Sequence, residues 1–154
     1  EGLKAYFKTN KKQYTWDEPR FKGCVIYAKN EVAAKSAKQI VKSANPDSVM
    51  SYLNQRVNVD SEMYARIERG LWKQRANAAV DKYGFKVKNA EYTPKEEYPI
   101  VLLVGKVIKS PQEYTDERGK VTTDYQDYLE KLWVAKLREK YPVEINQEVW
   151  NSIQ

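Results

Sequence analysis

The sequence contains no histidine and a single cysteine among its 154 residues. Without histidine it lacks the commonest general base and the commonest transition-metal ligand, which excludes a Ser-His-Asp triad, a Cys-His pair and the usual zinc sites. One cysteine also excludes an internal disulfide. Cys24 lies inside an apolar run, so we interpret it as a small buried hydrophobe rather than a reactive thiol. We therefore expect neither a metal site nor a cofactor.

Long apolar runs are also lacking. No run approaches the roughly 18 residues that a membrane helix needs, and the opening EGLKAYFKTNKK lacks the apolar core of a signal peptide. We therefore expect no membrane insertion, and the location of the protein cannot be read from a targeting segment.

Charge of one sign is in excess without being concentrated. The net charge is +6, but the 27 lysines and arginines are scattered among 21 acids, and the densest short run is only Lys11-Lys12, beside Lys8. This distribution is typical of a solvated surface of mixed sign rather than a track for phosphates. We expect no nucleic-acid partner.

The clearest pattern in the chain is a strand followed at once by a helix. Phe21 to Ala28 reads as a strand whose apolar run from Cys24 onward predicts burial on both faces. Asn30 is placed to cap a helix with one small apolar face. A second helix is predicted from Asn45-Pro46, with a core stripe formed by Val49, Met50, Leu53 and Val57.

Three further elements follow. Glu62 to Glu68 alternates as a half-buried strand, with Met63, Ala65 and Ile67 toward the core, and Gly70-Leu71-Trp72 is expected to end it. A short helix is predicted at 76–83, stopped by Gly84, and a long strand at 98–108.

The last third of the chain predicts one long helix. Residues 110–120 read as loop, and TDYQ from Thr123 fits a capping box. Pro142 should end the helix before a short strand at 143–145. The helix carries a wide apolar stripe, which we expect to be buried against the lead-in helix through Tyr6 and Phe7. The stripe comprises Leu129, Trp133, Leu137 and Tyr141, flanked by Tyr125, Tyr128 and Leu132.

The order of these elements carries a family resemblance. EPRFKGCVIYAKNEVAAKSAKQI resembles the start of a parvulin-type peptidyl-prolyl isomerase, where an Arg-led strand runs directly into a helix. Similar stretches follow at Met50–Leu53, Arg69–Trp72, Ala78–Phe85 and Tyr92–Pro94. The tail DYQDYLEKLWVAKLREKYPVEINQEVW resembles the C-terminal segment of SurA-like periplasmic foldases in Bacteroidetes-type isomerase precursors, and the lead-in LKAYFKTNKKQYTWDEPR resembles their linker.

The resemblance implies an α+β fold with a small antiparallel or mixed sheet flanked by helices, and a C-terminal helical extension that ends in a short strand. It divides the chain into a lead-in (1–18), a parvulin-like domain (19–109) and the extension (110–154). The histidines of the family would fall at Val25 and near 101–104, so the polar dyad is missing. The substrate-binding residues that it implies are Val25, Trp72, Phe85 and Leu102, of which Trp72 and Phe85 are equally well explained as core aromatics.

The function implied by the resemblance is a foldase or chaperone domain in the periplasm. Such a domain would bind unfolded or extended polypeptide clients containing proline or aromatic residues, beside other domains of the same precursor, with prolyl isomerisation weak or lost. Two alternatives stay open: a competent isomerase with an atypical pocket, and a structural or interaction module without catalysis. The acid pairs Glu96-Glu97 and Asp116-Glu117 are interpreted as solvated loop charge rather than a catalytic couple.

Overall fold

The computed structural model describes residues 1–141 and 147–153. The chain forms two compact units. One unit comprises Tyr14–Gln112, and the other combines Glu1–Gln13 with the chain from Glu113 onward.

The first unit is built on a three-stranded antiparallel sheet. The central strand, β1 (Arg20–Ala28), pairs with β2 (Ala65–Trp72) on one side and with β3 (Ile100–Ile108) on the other. Cys24, Val25, Ile26 and Ala28 are all buried, as the apolar run predicts for a strand covered on both faces. The α+β fold class expected from the sequence, with helices flanking a small sheet, is therefore confirmed.

Two helices, α2 (Glu31–Ser43) and α3 (Val49–Arg56), cover one face of this sheet. Asn30 caps α2 as predicted, because the backbone amide of Ala33 donates to its Oδ1 at 2.8 Å. Asn45 caps a 3-10 turn at Pro46–Ser48 that leads into α3. Val49, Leu53 and Val57 are buried as expected, whereas Met50 is exposed, contrary to the prediction.

The second strand differs from its predicted bounds. It begins at Ala65, three residues later than expected, and it continues through Gly70 to Trp72. The late start has a local cause, since the Asn58 amide both accepts from the Ala65 backbone amide at 2.9 Å and donates to its carbonyl at 3.0 Å. Met63 lies before the strand and is exposed.

A short helical segment follows β2, but its main turn is a π-helix at Val80–Gly84 rather than the predicted α-helix over 76–83. Asn77 organises its start, because its Oδ1 accepts from the backbone amides of Ala79 at 3.0 Å and Val80 at 3.2 Å. Ala79 and Val80 are both fully buried. This segment therefore packs on the sheet through its first turn.

The second unit pairs α1 (Gly2–Asn10) with the first half of α4 (Arg118–Lys140). The Tyr6 ring lies 5.5 Å from Tyr125 and 5.3 Å from Tyr128 between centroids, which confirms the expected contact of Tyr6 with this helix. Phe7 and Val121 are buried within the protein. Burial in this unit is thus concentrated near the start of α4.

The helix α4 begins five residues before the predicted cap at Thr123, which instead lies inside the helix and donates to the Gly119 carbonyl at 3.1 Å. The true capping box is formed by Glu113 and Asp116, at a 3-10 turn that runs directly into α4. Helical structure therefore begins at this capping box and not at Thr123, so the segment predicted as a loop at 110–120 is helical from Tyr114.

The apolar stripe on α4 is not buried as predicted. Five large apolar side chains in the C-terminal half of α4 and at its end are exposed; we call them the exposed strip, and they are Leu129, Leu132, Trp133, Leu137 and Tyr141. The predicted strand at 143–145 lies outside the described residues. A short helix that the sequence analysis missed, α5, follows at Gln147–Ser152.

Candidate functional site

The four predicted substrate-binding residues do not lie together. Val25, Trp72 and Phe85 belong to one apolar cluster, on the sheet face opposite α2 and α3. Leu102 belongs to the other cluster, beneath the helices. Neighbouring residues of a strand point to opposite faces. Because Leu103 pairs with Val25 and Leu102 pairs with Ile26, the β3 residue beside Val25 is Leu103.

The three residues that do cluster differ in how deeply they are buried. Val25 has no exposed surface, so no ligand can touch it without rearrangement of the sheet. Trp72 and Phe85 are half-buried, and both pack around Phe21, with ring centroids 6.3 Å and 6.5 Å away. Val25 therefore supports the site from inside the core, while the two aromatic side chains form a wall that reaches the surface.

A row of glycines crosses the same face of the sheet. Gly23 pairs with Gly70 on one side and with Gly105 on the other. A Cβ on Gly70 would lie 2.7 Å from the indole of Trp72, so the bare backbone leaves room for that ring to lie along β2. Gly84 acts similarly, since its Cβ would meet the Phe21 ring at 2.9 Å. Sequence analysis read Gly70 as a strand end, whereas its role is to admit the Trp72 side chain.

A groove of about 290 Å³ opens on this face, near the end of β1 and the start of β2. Tyrosine and charged residues dominate its lining: Tyr27, Arg66, Glu68, Asn77, Ala78, Tyr92, Thr93, Lys95 and Tyr98. Three tyrosines from β1 and from the segment before β3 thus converge on one cavity. Sequence analysis missed this groove, because the residues of its walls are far apart in the chain and only the strand pairing brings them together.

The phenol groups of the groove are held in defined positions. The Tyr98 hydroxyl donates to the backbone carbonyl of Met63 at 3.2 Å, and Tyr98 itself is buried. The Tyr27 hydroxyl lies 3.5 Å from a carboxylate oxygen of Glu68. The Tyr92 ring meets Tyr83 edge to face at 6.2 Å between centroids. These contacts orient the aromatic faces, which are the parts of the groove best suited to hold apolar or proline rings.

The electrostatics of the groove favour a neutral Tyr92 beside charges of both signs. Burial, and then the neighbouring Tyr27 and Tyr83, raise the pKa of Tyr92 above its ordinary value of 10.0. Tyr92 is therefore a neutral phenol at physiological pH and can donate a hydrogen bond. Arg66 and Lys95 add positive charge to the rim, and Glu68 adds negative charge. Such a set can bind and orient a polar chain with apolar side groups.

Other chemistry has little support in the described residues. No three His, Cys, Asp or Glu side chains come together there as a cation site would require. Cys24 is a buried free thiol. Among the helices in residues 1–141 and 147–153, α4 alone reaches the length of a membrane span, and it is too polar to cross a membrane.

Comparison with known proteins gives no match: no family model fits the chain, and no curated protein or solved structure is significantly similar to it.

Proposed function

We propose that this protein binds extended, proline- or aromatic-containing segments of unfolded polypeptide, as a foldase-type domain with weak or lost prolyl isomerisation. The observation that carries the proposal is the groove lined by Tyr27, Tyr92 and Tyr98. Binding sites for apolar groups are typically concave and aromatic, with a few polar groups that fix orientation. The proposal also includes what the parvulin-like resemblance implies, namely a periplasmic location and neighbouring domains in the same precursor.

The size and composition of the groove suit one or two side chains of an extended segment. Its volume of about 290 Å³ is at the low end for ligand sites, too small to enclose a folded partner but sufficient for a proline or an aromatic ring. Arg66, Glu68 and Lys95 stand around the aromatic surface and can pair with the polar groups of the segment. Selectivity would then come from the apolar ring, and orientation from the rim.

Weak catalysis follows from the physics of prolyl rotation. The amide barrier of about 18–20 kcal/mol can be lowered without a nucleophile, a general base or a metal, because the twisted amide is less polar than the planar one and is favoured by a dry apolar pocket. In parvulin-type sites a histidine pair organises that pocket. Here the corresponding β1 position is the fully buried Val25, and the chain has no histidine at all. Peptide binding can persist without that pair, whereas turnover should be slow.

The binding step is tested by filling the groove. Ala78 is exposed at its wall, so Ala78→Trp should obstruct the groove without disturbing the core. We expect the affinity for a fluorescently labelled, reduced and alkylated unfolded protein, measured by anisotropy, to fall at least tenfold. Ala76→Trp is the matched control, because Ala76 is exposed nearby but does not line the groove. Equal affinity in both variants and the wild type would refute the assignment of the groove.

Salt dependence separates this proposal from nucleic-acid binding. Apolar contact in the groove predicts an affinity that changes little with added salt, whereas binding to phosphates falls along a steep log–log slope. Tight binding of single-stranded DNA with such a slope would contradict the proposal.

A standard assay with an X-Pro test peptide measures the isomerase step. We expect slow turnover that is nearly flat between pH 5 and 8, since no histidine titrates there. A rate comparable with that of an active parvulin would instead support the competent-isomerase alternative.

A further inference from the structure

The outer edge of β2 carries backbone groups that no other strand covers. The Lys29 amide donates to the Tyr64 carbonyl at 2.9 Å, so Tyr64 and every second residue after it direct their backbone groups toward β1. The residues between them, Ile67, Arg69 and Leu71, therefore direct their N–H and C=O groups away from β1. Within the described part of the chain, nothing hydrogen-bonds to these outward groups.

Asn58 shows what kind of group this edge binds. Its side-chain amide accepts from the Ala65 N–H at 2.9 Å and donates to the Ala65 carbonyl at 3.0 Å. Two neighbouring antiparallel strands exchange the same pair of hydrogen bonds. Asn58 thus covers the first outward position of β2 and leaves the next three, where another extended chain can continue the pattern.

The same strand forms one wall of the groove. Arg66 and Glu68 line the groove, whereas Ile67 packs toward α2 and α3. Directly opposite residues of an antiparallel pair share a face of the sheet, and hydrogen-bonded pairs alternate with pairs that are not hydrogen-bonded. A chain added antiparallel to β2 therefore directs every second side chain to the groove face, and the N–H groups of those residues point away from β2. A proline at such a position loses no hydrogen bond to β2.

We propose that the outer edge of β2 binds the backbone of the client segment as a fourth, antiparallel strand, with proline or aromatic side chains directed to the groove at alternate positions. This inference rests on the proposed function, because it specifies how the client lies against the groove. Ile67, Arg69 and Leu71 supply the donors and acceptors that hold the backbone, and the groove selects the side chains. A parallel strand is excluded for proline, since its groove-facing residues would have to donate their N–H groups to β2.

Charge argues for a client segment rather than a second copy of β2. A symmetric antiparallel pair that uses all three outward residues is centred on Arg69, and it sets Arg69 directly opposite Arg69 of the other copy. Like charges in that position are destabilising. Arg69 is exposed and forms no ion pair with another described residue. A client with an acidic residue opposite Arg69 is instead complementary to this edge.

Methylation of the peptide backbone tests the strand. The probe is a short, fluorescently labelled peptide with one central proline between aromatic residues, and its affinity for the wild-type chain is measured by anisotropy. N-methylation of the residue directly before or after the proline should raise the dissociation constant at least about fivefold, because each of these residues donates to β2. N-methylation two positions from the proline is the matched control, and it should leave the affinity almost unchanged.

Amide hydrogen exchange locates the strand on the wild-type protein. Saturating peptide should slow exchange of the Ile67, Arg69 and Leu71 amides at least about tenfold. The Val107 amide is the internal control, because it faces outward on the opposite edge of the sheet, β3. Arg69→Pro should weaken binding more than Arg69→Ala, since both remove the charge but only proline removes the outward N–H. Circular dichroism checks that both variants keep their strands.

The outcomes separate this proposal from the proposed function. Peptide binding without protection of the three amides, or without the alternation in N-methylation, would overturn the added strand and leave client binding in place. Protection of the same amides that rises with protein concentration in the absence of peptide would overturn it in favour of a second copy. A chain that binds no such peptide would refute both. Protection that persists in Ala78→Trp would support the strand and refute the role of the groove.

Discussion

Substitution of Val25 by alanine measures how far the sheet face under the groove behaves as a packed core. Val25 has no exposed surface, pairs with Leu103 and packs in one cluster with Phe21 and Val80. Loss of two methyl groups removes about 1.6 kcal/mol of transfer free energy, at about 0.8 kcal/mol each. A residual void of roughly 40–50 Å³ adds about 1 kcal/mol. We therefore expect Val25→Ala to lower the free energy of unfolding by about 2–3 kcal/mol.

Urea unfolding followed by far-ultraviolet circular dichroism measures this change, provided that the slope of the transition is unaltered. A double-mutant cycle then tests the two-faced arrangement of the sheet. Val25→Ala should couple to Leu103→Ala by at least about 0.5 kcal/mol, because the two side chains share a cluster, and more weakly to Leu102→Ala. A cost below about 1 kcal/mol, or stronger coupling to Leu102 than to Leu103, would refute this description of the sheet.

Three further predictions concern single residues. Trp133→Ala should lower the free energy of unfolding by less than about 1 kcal/mol at concentrations where the chain is monomeric, because the side chain is mainly exposed; urea unfolding of a dilute sample checks this. Asn30→Ala should cost about 1 kcal/mol in the same assay through loss of the α2 cap, and Asn30→Asp, which retains an acceptor, should recover most of it. Tyr92 should titrate above pH 10.0 by ultraviolet absorbance, with Tyr92→Phe identifying its contribution. Since its folded pKa is raised, the stability linked to it is present below pH 10 and is lost as the pH rises through the folded value; a titration below pH 10 would contradict the burial of Tyr92.

Local sequence patterns predicted the first strand and the helix after it. The apolar run of β1 and the cap at Asn30 are signals contained within a few neighbouring residues, and both depend on backbone geometry that the chain sets locally. The α+β class followed from the order of such elements. The C-terminal bound of β2 was wrong because Gly70 was read as a break, whereas pairing with Gly23 keeps it in the strand.

Tertiary pairing decided the features that the sequence could not predict. The choice between Leu102 and Leu103 depends on the register of β3 against β1, and a shift by one residue moves a side chain to the other face. The groove depends on the same register, because Tyr27 and Tyr92 meet only after the sheet has formed. The amphipathic pattern of α4 correctly showed an apolar surface, but a pattern alone does not show whether the same chain covers it.

Backbone amide chemical shifts recorded during titration with an unlabelled peptide containing an aromatic-proline pair test the central claim most directly. The account predicts that the largest shifts occur at Tyr27, Arg66 and Tyr92–Lys95, around the groove, and that Ala78→Trp abolishes them. Shifts confined to the α2 and α3 face or to the exposed strip on α4, with the groove unchanged, would contradict it.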